Sequence, residues 1–156
     1  MACTLLTKSR NLDCSRISGG VNKIYFAVFD QLLAYTMSAG EMLEVSDLNM
    51  GSDSLYSYAV PRGSTTVSDA ATGSTENGTI FNTPTVAMVL NKLTKEDQNE
   101  IKLLSQTQVV IFAQLNEQLA NGHDVIICLG LKNGMSMNAG TADSGAAFGD
   151  RNGYSL

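Results

Sequence analysis

VAMVLNKLTKEDQNEIKLLSQTQVVIFAQL, residues 86–115, changes its hydrophobic period twice. Val86, Met88 and Leu90 share one face at the two-residue repeat of a strand. The pattern breaks at Thr94-Lys-Glu-Asp97, which resembles a capping box. Thr94 can cap the helix, Asp97 takes the third helical position and Glu96 suits the positive helix end. Ile101 and Leu104 then fall on one face at helical spacing with Leu103 beside them, so a helix is predicted over about 94–106, fading near Gln106. From Val109 to Leu115 the chain reads as a buried strand.

Strand signals surround this strand–helix–strand core. Upstream, strand character runs from Thr79 to Leu93, and Pro84 removes a ladder donor, which argues for an edge or a bend. Downstream, Asp124 to Leu131 is a second buried-type strand, reached through the turn dipeptide Asn121-Gly122. Nearer the N-terminus, Ile24, Phe26 and Val28 alternate with Lys23, Tyr25 and Ala27 in a strand from Val21 to Phe29. Further strands are predicted at Glu41–Leu48 and Ser54–Val60, separated by the turn-forming Asn49–Asp53. A Gly- and Ser-rich loop over 133–149 leads to a last short strand at Tyr154–Leu156. The expected fold is mainly β (α+β), antiparallel, with one helix packed on the sheet. It forms a single domain over residues 1–156 with a polar N-terminal arm at 1–20.

Arg62 to Asn77 stands apart in composition, with no apolar residue larger than Val67 after Arg62. Such a segment has little to bury against its ordering entropy, so a mobile loop is predicted at 62–77. Arg62, Thr66, Asp69, Thr72 and Asn77 are its candidate subunit-interface residues, ordered on contact with a neighbour.

Charge and chemistry narrow the function. Charged residues make up 16% of the 156 residues, against about 25% in an average soluble domain. A neutral surface suits burial by other copies, because interface cores are depleted of charge. The net charge is −5 with ten scattered Lys and Arg, which argues against binding to nucleic acid or to an anionic membrane. The three cysteines, Cys3, Cys14 and Cys128, lack metal-ligand spacing. Cys128 reads as a small core residue. Cys3 and Cys14 could pair, although a reduced cytoplasmic setting is the simpler reading. Met1–Leu12 has no continuous apolar run of signal-peptide type.

The single His123 has no second histidine to join it, and no nucleophile elbow or phosphate-loop pattern occurs. Asp47-Leu-Asn-Met-Gly51-Ser-Asp53 has calcium-like alternation but lacks the sixth-position Gly and distal Glu of an EF-hand. It reads as a turn. No catalytic residue, metal site or cofactor is expected, and the chain is not read as an enzyme.

Several pieces stand in order along the chain. They are Gly19-Gly20-Val21 running into Ile24-Tyr25-Phe26, then Asn77-Gly78-Thr79 with Phe81, then a long strand ending at Leu93. The charged helix 96–104 follows, then two apolar strands, Leu129-Gly130-Leu131 with Asn133-Gly134, Gly145, and Gly149-Asp-Arg-Asn-Gly-Tyr-Ser-Leu156. Taken together they resemble the tail-tube-type structural proteins of tailed bacteriophages. Members of that group generally continue past the last strand, whereas this sequence stops at Leu156.

The resemblance implies a β-barrel or sandwich flanked by one helix, in hexameric rings stacked into a tube that conducts DNA without specific binding. The protein would assemble with itself and with other tail proteins in the bacterial cytoplasm, and would reside in the virion. An acidic balance suits such a conduit, since it repels phosphate. Glu41 and Glu44 are the lumen candidates, and their spacing puts them on opposite faces of a strand. Two other readings stay open: a single-ring tail hub, terminator or head–tail connector of similar fold, and a small-ligand-binding β domain.

Overall fold

The computed structural model describes residues 9–10, 18–32, 34–39, 44–119 and 121–156. Among these the chain is mainly β, with antiparallel sheets, one α-helix and no closed barrel. Four strands build the largest sheet: β1 (Val21–Val28), β4 (Tyr56–Ala59), β8 (Val109–Gln118) and β9 (Asp124–Leu129), in the order β4-β1-β8-β9. The alternation in β1 sets its two faces. Ile24 and Phe26 point to one side with Ile111, Ala113 and Leu129, where they join the main core. Ala27, Val110 and Phe112 point to the other and form a smaller cluster.

The main core is shared between sheets. Leu90 and Tyr154 enter it from a three-stranded sheet, and Met88 enters it from just before that sheet's first strand. That sheet comprises β10 (Thr141–Asp143), β11 (Gly153–Ser155) and β7 (Val89–Asn91), in the order β10-β11-β7. Helix α1 (Lys95–Leu104) closes over the same core, with Ile101 and Leu104 packed against it and Leu103 exposed. Its N-terminus carries the cap that the sequence promises: Thr94 Oγ1 accepts from the Asp97 amide at 3.1 Å and donates to Asp97 Oδ2 at 2.6 Å. The tyrosine hydroxyl of Tyr154 donates to the Thr94 carbonyl at 3.0 Å, tying strand β11 to the helix start. Between β7 and α1 the chain passes through Lys92 at φ +71, where the Lys92 and Leu93 amides both donate to Asn152.

Two hairpins complete the structure. One pairs β2 (Ala34–Met37) with β3 (Val45–Asn49), and Leu48 and Met50 pack on the smaller cluster. The other pairs β5 (Thr66–Ser74) with β6 (Thr79–Ala87) over nine residues each. Most of the segment read as a mobile loop is therefore a strand. Its small Thr, Ser and Ala side chains are compatible with a ladder, and backbone pairing to β6 supplies the order that burial does not. The turn is made by residues 75–78, with Gly78 at φ +61 in the left-handed region glycine tolerates. Pro84 lies opposite Asp69 where, among the described residues, β6 has a strand on one side only, in keeping with its missing donor.

Candidate functional site

The hairpin β5–β6 leaves the body of the protein. Val67 and Val86, near its base, pack against the main core. Beyond them every residue from Ser68 to Gly73 and from Thr79 to Thr83 is exposed. At about 3.3 Å per residue this distal part is roughly 20 Å long. It carries Ile80 at 78% exposure and Phe81 at 60%. Adjacent in a strand, these two point to opposite sides, so both faces of the hairpin offer apolar surface.

The interface candidates are distributed along this element. Thr66, Asp69 and Thr72 are exposed on β5, opposite Ala87, Pro84 and Phe81. Their spacing puts Asp69 on the reverse face from the other two. Asp69 Oδ2 accepts from the Asn82 amide group at 3.0 Å across the hairpin. Asn77 is exposed in the turn, where its backbone N–H donates to Ser74 Oγ. Arg62 is exposed ahead of the strand. The structure thus gathers four of the five on one hairpin but not on one face, and leaves Arg62 ahead of it.

The lumen candidates are not gathered. Glu44 is exposed, lies just outside β3 instead of within a strand over 41–48, and its carbonyl accepts from the Ser38 amide at 2.8 Å. Glu41 lies outside the described residues.

A third feature is the outer part of the four-stranded sheet. On the face turned away from the main core, Lys23 pairs with Ala59 and Gln114, Tyr25 pairs with Ser57 and Phe112, and Gln114 pairs with Ile126. A polar chain crosses it. Tyr25 Oη donates to Gln114 Oε1 at 3.1 Å, and Gln114 Nε2 donates to Asp124 Oδ2 at 2.7 Å. Gln118 Nε2 donates to Asp124 Oδ1 at 3.2 Å. The edge strands β4 and β9 each have one partner among the described residues. Their outward N–H and C=O groups can accept a further strand.

His123 is exposed in the turn before β9, where its amide donates to Asn121 Oδ1. Cys128 is half-buried on β9, and burial pushes its thiol up to about 11, so it is protonated and unreactive at neutral pH. Cys3 and Cys14 lie outside the described residues. Among the described residues no helix is long and apolar enough to cross a membrane.

Sequence reading missed the exposed Ile80–Phe81 pair, the polar chain through Gln114, and a fully exposed Phe148. Only the last left a signal, a lone large residue within Ser144–Gly149. The other two depend on which strands pair. No family model, curated protein or solved structure matches this chain.

Proposed function

We propose that this chain is a structural subunit of a phage-type tail tube, forming hexameric rings that stack into a DNA conduit. One observation carries the reading: the distal β5–β6 hairpin stands clear of the core with Ile80 and Phe81 uncovered. A two-stranded hairpin by itself is marginal in water, and a neighbouring subunit covering it would supply the missing layer. The edges β4 and β9, each with one partner among the described residues, add a lateral contact, in which β4 of one copy extends the sheet of the next at β9. On this reading the two packed layers form a sandwich-like wall, with the shared core between them.

The bore would be lined by the outward face that carries Lys23, Tyr25, Ser57, Gln114 and Asp124. Its charged groups balance one to one, and Asp124 is held by two glutamine amides. Phosphate would then pass over hydroxyls and amides with little net attraction. This lining replaces the acidic one for which Glu41 and Glu44 are the sequence candidates.

The test is excision of the hairpin tip. Removing Thr72–Phe81 and joining Ala71 to Asn82 through Asn-Gly keeps the register, because those two residues are already paired. Light scattering at high concentration should show polymers for the parent chain and none for the variant, with both melting at similar temperature. A gentler pair, Ile80→Ser with Phe81→Ser, should weaken assembly in the same direction. Undiminished polymerisation by both variants would refute the reading.

A further inference from the structure

The loop joining β10 to β11 is built around one fully exposed side chain. The Asp150 carboxylate accepts from the amides of Ala146 at 2.9 Å and Ala147 at 2.7 Å, and the Asp150 amide donates to the Ala147 carbonyl at 3.0 Å. These bonds hold the carboxyl below its ordinary range. Asp143 Oδ1 accepts from the Gly145 amide at 2.9 Å, and Arg151 donates to Ser155 Oγ at 2.6 Å. Gly145 sits at φ +70, where a Cβ would meet that of Asp150 at 2.8 Å. A pinned loop of small residues therefore holds a fully exposed Phe148 in solvent.

At the opposite end of the same two strands lies an apolar groove of about 360 Å³. Phe26, Val86, Leu104, Ile111, Met137 and Leu156 are among its walls, and among the described residues no charged side chain lines it. A cavity of roughly 150 Å³ with aliphatic and aromatic walls already holds a benzene ring. Thr141 pairs with Ser155 at the groove end and Asp143 with Gly153 at the loop end, so the loop that carries Phe148 lies at the end away from its own groove.

We propose that Phe148 of one copy seats in this groove of a second copy, as a head-to-tail contact. The two surfaces match in chemistry, because Phe148 is flanked by Ala146, Ala147 and Gly149 and meets walls without charge. They lie on different parts of one chain, so the contact is heterologous and repeats from copy to copy into a ring or a filament. Its size fixes its role. A phenylalanine ring buries about 200 Å², far below the roughly 1,000 Å² of a stable interface, so the contact adds to others and makes no stable dimer alone. Ile80 and Phe81 are the rival occupants, but both are less exposed than Phe148. The inference needs self-association only, and not the phage reading.

The experiment is site-specific photocrosslinking in the full chain, with Phe148→p-benzoylphenylalanine mixed with isotopically heavy parent protein. Adducts between position 148 and residues 83–88 or 135–139 of the heavy chain are expected. Phe148→Ser should raise the concentration needed for assembly on the order of ten- to a hundred-fold, with an unchanged melting temperature. Assembled protein whose adducts lie elsewhere or are missing would overturn this contact and leave the tube reading standing. A parent chain that stays monomeric at every concentration would overturn both.

Discussion

Tyr154 offers the sharpest check of how the last strand is docked. It is 4% exposed, packs in the main core with Leu90 and Met88, and donates its hydroxyl to the Thr94 carbonyl at 3.0 Å. Tyr154→Phe removes that donor and nothing else. The Thr94 carbonyl is not orphaned, since it also accepts from the Gln98 amide at 3.1 Å. The cost is then that of one ordinary hydrogen bond, about 1 kcal/mol. For a domain of this size it lowers Tm by about 2–4 °C. Tyr154→Ala also empties the space of the ring, which costs about 3–5 kcal/mol for a buried aromatic residue. Urea melts of the three proteins should give midpoints in that order with an unchanged slope. If the phenylalanine variant cost as much as the alanine variant, the hydroxyl would be anchoring something other than the helix start. If the alanine variant cost less than 1 kcal/mol, β11 would not be docked on the core at all.

Three further outcomes are expected. Thr94→Ala should cost about 1 kcal/mol, the usual loss of an N-cap. Leu104→Ala should cost about 2 kcal/mol, at the low end for a core leucine because its side chain is only half-buried; denaturant melts in which the cap substitution exceeds the core one would contradict the helix placement. Cys128, with its thiol at about 11, should resist iodoacetamide in the folded protein at pH 8 and begin to react as pH rises toward that value. Residue-resolved mass spectrometry showing it modified at neutral pH would refute its burial.

The elements legible in the sequence are those whose side chains are sorted by burial. β1, β8 and β9 carry the buried Ile24, Val110, Ile111 and Leu129, so apolar periodicity exposes them. α1 announces itself through Thr94 and Asp97, because capping is a local contract between neighbouring residues. β5 was hidden for the opposite reason. Its order comes from pairing with β6, and Thr, Ser, Ala and Gly show no period when neither face is buried. β2 and β10 are short strands whose described residues are all exposed, and they escaped in the same way. Of the candidate site, the residues along 62–77 were legible as a surface segment, but not as one arm of a hairpin. The polar chain from Tyr25 through Gln114 to Asp124 joins three strands far apart in sequence, and only the sheet order reveals it.

The central claim is that copies of this chain build a tube, and electron microscopy of the purified protein at high concentration addresses it most directly. Long hollow tubes of stacked rings are expected, with the β5–β6 hairpin bridging successive rings. Isolated rings that never stack would point to a hub, terminator or connector instead. Monomers at every concentration, with a thermal shift on adding small apolar ligands, would contradict assembly and make the groove a binding pocket.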